Sequence, residues 1–237
     1  MATPPPALPM KITPLPRSSY PSPMTYPTSA FIRQNENNDS EWYSQPRFVH
    51  HIDAKAITTL ETYYSTIINP THHVLDICSS WVSHLPASLK PQVMIGIGMN
   101  SLELARNTHL TRYSVQDLNL NPTLEVEDES IDVVICNLSV DYLVQPVKIF
   151  EEMRRVLKVD GTAHMAFSNR CFPTKVIGAW MGMSDAEKRR WVGGYFWASG
   201  GWEGVEEVVL NEGHRFLGFG DEDPLFVVRG RKAVTHA

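Results

Sequence analysis

Glycine is missing from the first part of this 237-residue chain. All 14 glycines lie at or after Gly96, and this absence excludes a glycine-rich nucleotide-binding loop from the first 95 residues. Cysteine is also scarce, since Cys78, Cys136 and Cys171 are an odd number, widely spaced and without a CxxC pair. This arrangement argues against a disulfide scaffold and against a zinc site, and it fits a reducing compartment.

The chain also lacks a long apolar run and a strong charge of either sign. No stretch of about 18 apolar residues is present, so the sequence predicts no membrane span. The net charge of −5 and the pI of about 6.0 do not favour a nucleic-acid partner. We therefore expect a cytoplasmic protein without a nucleic-acid or membrane partner, and the sequence leaves its oligomeric state open.

The amino terminus lacks acidic residues but is rich in proline. No acid precedes Glu36, and nine of the 17 prolines lie in residues 1–30. Such a composition predicts a disordered tail over residues 1–38, followed by one folded domain over residues 39–237. A segment that is poor in acids and rich in serine also leaves organellar targeting open.

The folded part alternates between short apolar strands and amphipathic helices. Strands are predicted at 73–78, 92–98, 112–117, 131–140 and 161–168, and again as a final antiparallel pair at 205–213 and 224–232. Helices are predicted at 52–68, 100–107 and 145–158, with a helix-prone region at 170–197. This order predicts an α/β domain with a mostly parallel sheet covered on both faces. Because ligands bind at the carboxyl ends of parallel strands, the candidate site residues are those that follow each strand.

Five motifs follow one another at these strand ends. They are VLDICSSW, IGIGMNSLELARN, VQDLN, ESIDVVICNLSVDYL and EEMRRVLKVDGTAHMAFSN. In this order and spacing the sequence resembles the class I S-adenosylmethionine-dependent methyltransferases, most closely their small-molecule type 11 branch. The resemblance implies a Rossmann-like, seven-stranded, mostly parallel sheet that ends in an antiparallel hairpin. It also implies S-adenosyl-L-methionine as the cofactor.

The first strand-end loop departs from the family pattern. The family usually carries D/E-x-G-x-G there, whereas this chain has Asp76 followed by side chains at both glycine positions. Ser79 and Ser80 are small and can donate hydrogen bonds, so the resemblance assigns Asp76, Ser79 and Ser80 to the methionine end of the cofactor. Trp81 is large enough to narrow the pocket.

The resemblance also assigns residues at the next three strand ends. The family's ribose-binding acid falls at Gly98, so Asn100 is the expected ribose ligand through its uncharged side-chain carbonyl. Asp117 and Leu118 are expected at the adenine ring. Asn137 follows the fourth strand, where the family faces the methyl group and the acceptor.

Three residues are candidates for catalysis. Asp141 and Tyr142 follow Asn137 and lie where an acceptor would bind, and Asp141 is a possible general base. His51 precedes the first long helix, in a segment that the family often folds over its cofactor, and histidine titrates near neutral pH. The histidines lack partners at metal-ligand spacing, so we expect no metal site.

Three functions remain open from the sequence. The first is methyl transfer to a small molecule, as part of specialised metabolism. The second uses the same scaffold for a step without methyl transfer, such as a cyclisation or an elimination. The third is a non-catalytic binding module. The glycine-free first loop is the feature that keeps the second and third open.

Overall fold

The computed structural model describes residues 10–216 and 219–234. Its main sheet has eight strands in the order β1-β7-β10-β6-β5-β2-β3-β4, and β8 and β9 form a separate hairpin. The strands are β1 Lys11–Pro14, β2 His73–Ser79, β3 Val93–Gly98, β4 Arg112–Val115, β5 Ile131–Asn137, β6 Leu157–Phe167, β7 Trp202–Asn211, β8 His214–Phe216, β9 Phe219–Glu222 and β10 Leu225–Lys232.

The central strands are parallel and the strands at one end are antiparallel. β6, β5, β2, β3 and β4 are parallel neighbours, whereas β10 pairs antiparallel with both β6 and β7. This topology confirms the predicted Rossmann-like sheet and its final antiparallel pair. The strand directions place the carboxyl ends of the five parallel strands along one edge of the sheet.

Within the described residues, five α-helices accompany the sheet: α1 Asp39–Trp42, α2 Ala54–Ile67, α3 Ser101–Arg106, α4 Pro146–Val156 and α5 Asp185–Ser199. The predicted helices at 52–68, 100–107 and 145–158 correspond to α2, α3 and α4. The helix-prone region at 170–197 becomes an α-helix only from Asp185, where Ser184 and Glu187 form a capping box.

Alternating side chains of the buried strands supply two apolar cores. Leu75 and Ile77 of β2 face one core with α4 and α5, and Val74 faces the other with α2. The alternation follows from the two-residue period of a strand. None of the helices in the described part of the chain has both the length and the apolar character that a bilayer crossing needs.

The predicted disorder over residues 1–38 is wrong for residues 10–38. β1 pairs antiparallel with β7, with Lys11 opposite Val209, and thereby adds an eighth strand to the seven that were expected. The Tyr26 hydroxyl donates to the Trp191 carbonyl at 2.7 Å. A Cβ at Gly194 of α5 would lie 2.2 Å from the Tyr26 hydroxyl oxygen, so the helix offers a glycine surface to this segment. Residues 1–9 lie outside the described residues.

Composition gave no sign of this packing. An extended, proline-rich segment has no helical or strand periodicity, yet it buries single apolar side chains against α5. The complementary glycines lie about 170 residues further along the chain, where their purpose is visible only in three dimensions.

Candidate functional site

A cavity of about 420 Å³ lies at the carboxyl ends of the parallel strands. Its volume falls within the range of about 300–1,000 Å³ that is usual for small-molecule sites. The residues expected from the sequence that line it are His51, Asp76, Ser79, Ser80, Gly98, Asp117, Leu118, Asn137 and Tyr142. Asn100 and Asp141 do not line it.

Asp76 organises the loop that follows β2. Its carboxylate accepts hydrogen bonds from the Ser79 hydroxyl at 2.7 Å, the Ser83 hydroxyl at 2.6 Å and the Asn137 amide at 3.5 Å. Burial raises the pKa of Asp76 to about 6, and these three hydrogen bonds act in the opposite direction. The carboxylate is therefore occupied by the chain's own donors, and Ser79 is held beside the cavity by it.

The glycine-free loop has a conformational cost at two residues, of which Cys78 stands at a glycine position of the family pattern. Cys78 and His84 adopt positive φ values of 54° and 55°, in the left-handed region that favours glycine. Non-glycine residues in this region cost about 1 kcal/mol or more each. His84 is buried, and its Nδ1 has no hydrogen-bond partner. Burial lowers the pKa of His84 to about 4, so the imidazole is neutral at neutral pH.

Close packing around Gly98 explains why this position has no acidic side chain. A Cβ at Gly98 would lie 2.1 Å from the Ser79 backbone carbonyl oxygen. No side chain fits there without a backbone shift, because Ser79 at the end of β2 lies opposite Gly98 in the sheet, past a register shift. The close approach of Ser79 therefore leaves no room at position 98 for the acidic side chain that the family pattern has there.

A buried carboxylate nearby escaped the sequence analysis. Glu103 of α3 lines the cavity, accepts from the Ser80 hydroxyl at 2.7 Å, and accepts from the Arg47 backbone N–H at 2.6 Å. The sequence Asn100-Ser-Leu-Glu103 has the spacing of a capping box, in which the acid would serve its own helix end. The structure instead turns Glu103 towards the cavity.

Both polar atoms of the Asn100 side chain are hydrogen-bonded to the protein's own backbone. Its Oδ1 accepts from the backbone N–H groups of Leu102 and Glu103, and thereby caps α3. Its Nδ2 donates to the carbonyls of Tyr43 and Ser44 at 2.8 and 3.2 Å. The expected ribose contact would require Asn100 to give up these bonds.

We expect Asn100→Ala to lower the free energy of unfolding by about 1–2 kcal/mol, because it removes a helix cap and two donors. Asn100→Asp keeps the capping oxygen but lacks the Nδ2 donors. The decrease in its free energy of unfolding therefore measures the contribution of the hydrogen bonds to the Tyr43 and Ser44 carbonyls. Urea denaturation measures both variants. An Asn100→Ala variant with unchanged unfolding and a selective loss of ligand affinity would instead support a direct ribose contact.

The segment of residues 33–51, which we call the lid, covers one side of the cavity. Asp39 joins it to the domain, since its carboxylate accepts from Arg33 at 2.7 Å, Lys175 at 2.8 Å and Asn119 at 3.0 Å. We call these four side chains the ion cluster. The side chains of Lys175, Asp39 and Arg33 are only 1%, 5% and 7% exposed. Burial alone would raise the pKa of Asp39, but the bonds from Lys175, Asn119 and Arg33 lower it.

His51, the last residue of the lid, lies at the end of the cavity that Phe172 borders. Its ring lies edge-on to Phe172, with 5.4 Å between ring centroids. Burial, and then the nearby charges of Arg47 and His50, lower the pKa of His51 even though Glu103 acts in the opposite direction. Tyr142 also borders this end, where its hydroxyl oxygen accepts from the Phe172 backbone N–H at 2.7 Å.

Asp117 and Asp141 differ in their relation to the cavity. Asp117 lines it while its Oδ1 accepts from the backbone N–H of Asn119 at 2.8 Å. Asp141 is buried elsewhere, and burial raises its pKa to about 7 against weaker effects of its own backbone N–H and Lys188. Its place outside the cavity lining gives the expected role as base no geometric support.

Comparison with known proteins agrees with this topology. The family model described as a methyltransferase domain matches residues 83–165. A Thermotoga maritima protein described as an S-adenosylmethionine-dependent methyltransferase and possible histamine N-methyltransferase superposes with a TM-score of 0.53. That match has 16% identity and covers 75% of this chain and 89% of the other.

The chain has the class I methyltransferase fold. A second methyltransferase-like structure, from Haloferax volcanii and solved with the Trm112 methyltransferase activator, matches with a TM-score of 0.53 and 15% identity. That alignment covers 78% of this chain and 90% of the other. No curated protein is significantly similar to the sequence. The resemblance inferred from the five motifs is confirmed.

One part of this methyltransferase fold is unusual. Parallel neighbours are ordinarily joined through a helix, yet residues 80–92 between β2 and β3 contain none. The Asn107 amide instead fixes this crossover by donating to the Ser80 carbonyl at 3.0 Å and the Ser83 hydroxyl at 2.7 Å. Within the described ranges, no group of three or more His, Cys, Asp or Glu side chains is arranged to hold a metal ion.

Proposed function

We propose that this protein transfers a methyl group from S-adenosyl-L-methionine to a small-molecule acceptor. The observation that carries the proposal is the cavity at the carboxyl ends of β2 to β6, covered on one side by the lid and lined by polar groups of both signs. We further propose that the reaction belongs to specialised metabolism in the cytoplasm, in agreement with three free thiols.

The residues present fit such a cofactor. Leu118 offers an apolar surface and Asp117 a carboxylate for the adenine end, and both line the cavity. Glu103 supplies a carboxylate in α3, shortly after Gly98, the position where the family has its ribose acid. Ser79 and Ser80 line the methionine end. Buried donors without acceptors, such as Arg47 Nη1, leave hydrogen-bonding capacity for a ligand.

When bound, S-adenosyl-L-methionine supplies a methyl group activated by its sulfonium. The chain's main contribution is positioning, which brings acceptor and cofactor into line for displacement. His51 has a lowered pKa and is therefore predominantly neutral at pH 7, the form that accepts a proton from an acceptor hydroxyl or amine.

We expect Glu103→Gln to weaken the binding of S-adenosylhomocysteine by about 10- to 100-fold, because a hydrogen bond to a charged group contributes about 1.5–3 kcal/mol. Calorimetric titration measures the affinity. Glu151→Gln on the exposed face of α4 is the matched control and should bind as the wild type does. Equal affinities of both variants would remove Glu103 from the cofactor site.

The rebuilt first loop favours a second candidate, a step without methyl transfer on the same scaffold. Its support is the crossover at residues 80–92, in which Asp76 serves the loop itself. A screen of phenol, amine and thiol acceptors separates the two functions. Methyl transfer predicts release of S-adenosylhomocysteine with an acceptor, whereas tight cofactor binding without turnover on any acceptor would favour the second candidate.

A further inference from the structure

Four cationic side chains line the cavity in the described part of the chain: Arg33, Arg47, Arg170 and Lys175. Three of them have carboxylate partners. Arg33 and Lys175 both contact Asp39, and Arg170 pairs with Asp223 at 2.7 Å. Among the described residues Arg47 has none, since its guanidinium donates only to the Trp42 backbone carbonyl at 3.0 Å.

The Arg47 guanidinium is also held in place. Its Cζ lies 5.2 Å from the ring centroid of Trp42, 5.9 Å from that of Tyr43 and 5.6 Å from that of Phe172. Its backbone N–H is fixed on Glu103 at 2.6 Å. Three aromatic faces and a tethered backbone therefore orient a charged group beside the cavity.

The orientation leaves hydrogen-bonding capacity unused. Arg47 Nη1 is buried and has no acceptor, and the indole Nε1 of Trp42 beside it is in the same condition. A buried donor without an acceptor is costly, more so when it carries charge. Arg47 lines the cavity, so an anion bound there that reaches Nη1 would supply the missing acceptor, and a carboxylate matches the planar guanidinium.

We infer that Arg47 binds a carboxylate of the bound ligand. This inference rests on the proposed function, which supplies two sources with the same chemistry: the amino-acid end of the cofactor and an acid group of the acceptor. In either case Arg47 is a residue that determines specificity, since the cavity would favour an acid over its neutral analogue.

The test compares acidic ligands with neutral counterparts by calorimetric titration. S-adenosylhomocysteine and 5′-methylthioadenosine share the nucleoside and the thioether, but only the first has the carboxylate. For the acceptor, 4-hydroxybenzoate and 4-hydroxybenzamide form the matched pair. The variants are Arg47→Met, Arg47→Lys, and Arg106→Met as the control, because Arg106 stacks on Phe48 outside the cavity lining.

We expect Arg47→Met to lose at least tenfold in affinity for the acid of one pair and to keep the neutral counterpart unchanged. Arg47→Lys should lose less, because it keeps the charge without the fork, and Arg106→Met should match the wild type. A selective loss of S-adenosylhomocysteine assigns the carboxylate to the cofactor. A selective loss of 4-hydroxybenzoate assigns it to the acceptor.

The inference would be overturned if Arg47→Met left the ratio of acid affinity to neutral affinity unchanged in both pairs. Equal losses of acid and neutral ligand are one such case, and they would indicate a disturbed lid. A wild-type protein that binds neither nucleoside contradicts the proposed function, while the benzoate pair still decides the role of Arg47. Failure of the wild type to bind any of the four probes contradicts both.

Discussion

Asp39→Ala should lower the free energy of unfolding by about 3–5 kcal/mol, the largest stability loss that the site predicts. The substitution leaves Lys175 and Arg33, two cations that are 1% and 7% exposed, without their shared carboxylate. Urea denaturation of the full chain measures the loss. Glu36→Ala is the matched control, because Glu36 also pairs with Arg33 but is 54% exposed and should contribute about 1 kcal/mol or less.

The double variant Asp39→Ala/Lys175→Met tests the cause of that loss. If the uncompensated charge of Lys175 is responsible, removal of this charge should restore much of the lost stability. Equal instability of the single and the double variant would show that the ion cluster acts through shape and not through charge.

His51→Gln should lower kcat by about 10²- to 10⁴-fold, the usual contribution of a positioned general base. Its affinity for S-adenosylhomocysteine should remain within a few-fold of that of the wild type. Turnover is measured as S-adenosylhomocysteine release with an acceptor from the screen described above. His109→Gln, outside the cavity lining, is the control and should retain full activity.

The pH dependence of turnover gives an independent check on His51. In the proposed mechanism the neutral imidazole is the active form, and burial lowers the pKa of His51, so kcat should be level above neutral pH. It should fall as the pH drops through the lowered pKa, and this fall should vanish in His51→Gln. A profile that is the same in both proteins would exclude His51 as the base.

Local patterns predict the part of the fold that positions the site. Apolar runs such as 73–78 and 131–140 favour buried strands, although β5 ends at Asn137, and parallel strands bring their carboxyl ends to one edge. That reasoning places Asp76, Asp117 and Asn137 at a common site, and all three line the cavity. Long-range geometry, however, decides what these residues do there.

The errors have a common physical origin in contacts between distant segments. Position 98 requires glycine because the Ser79 carbonyl oxygen lies 2.1 Å from where a Cβ would be. The Glu103 carboxylate accepts hydrogen bonds from Ser80 and from Arg47 of the lid, and it does not cap its own helix. The proline-rich segment after residue 9 depends on glycines in α5. None of these partners lies within the window that a sequence pattern reads.

The absent early glycines have a structural meaning. Their loss is associated with positive φ at Cys78 and His84, with a crossover that lacks a helix, and with a carboxylate, Asp76, devoted to holding that crossover. The fold itself is unaffected, because the strand order does not depend on this loop. The methionine end of the proposed cofactor site is the part that has been rebuilt.

If the cavity holds the cofactor, a crystal structure of the full chain with S-adenosylhomocysteine should show the nucleoside there. We expect the adenine beside Asp117 and Leu118, the ribose hydroxyls within hydrogen-bond distance of Glu103, and the amino-acid end towards Ser79 and Ser80. A nucleoside bound elsewhere, or an empty cavity at saturating ligand, would contradict this expectation.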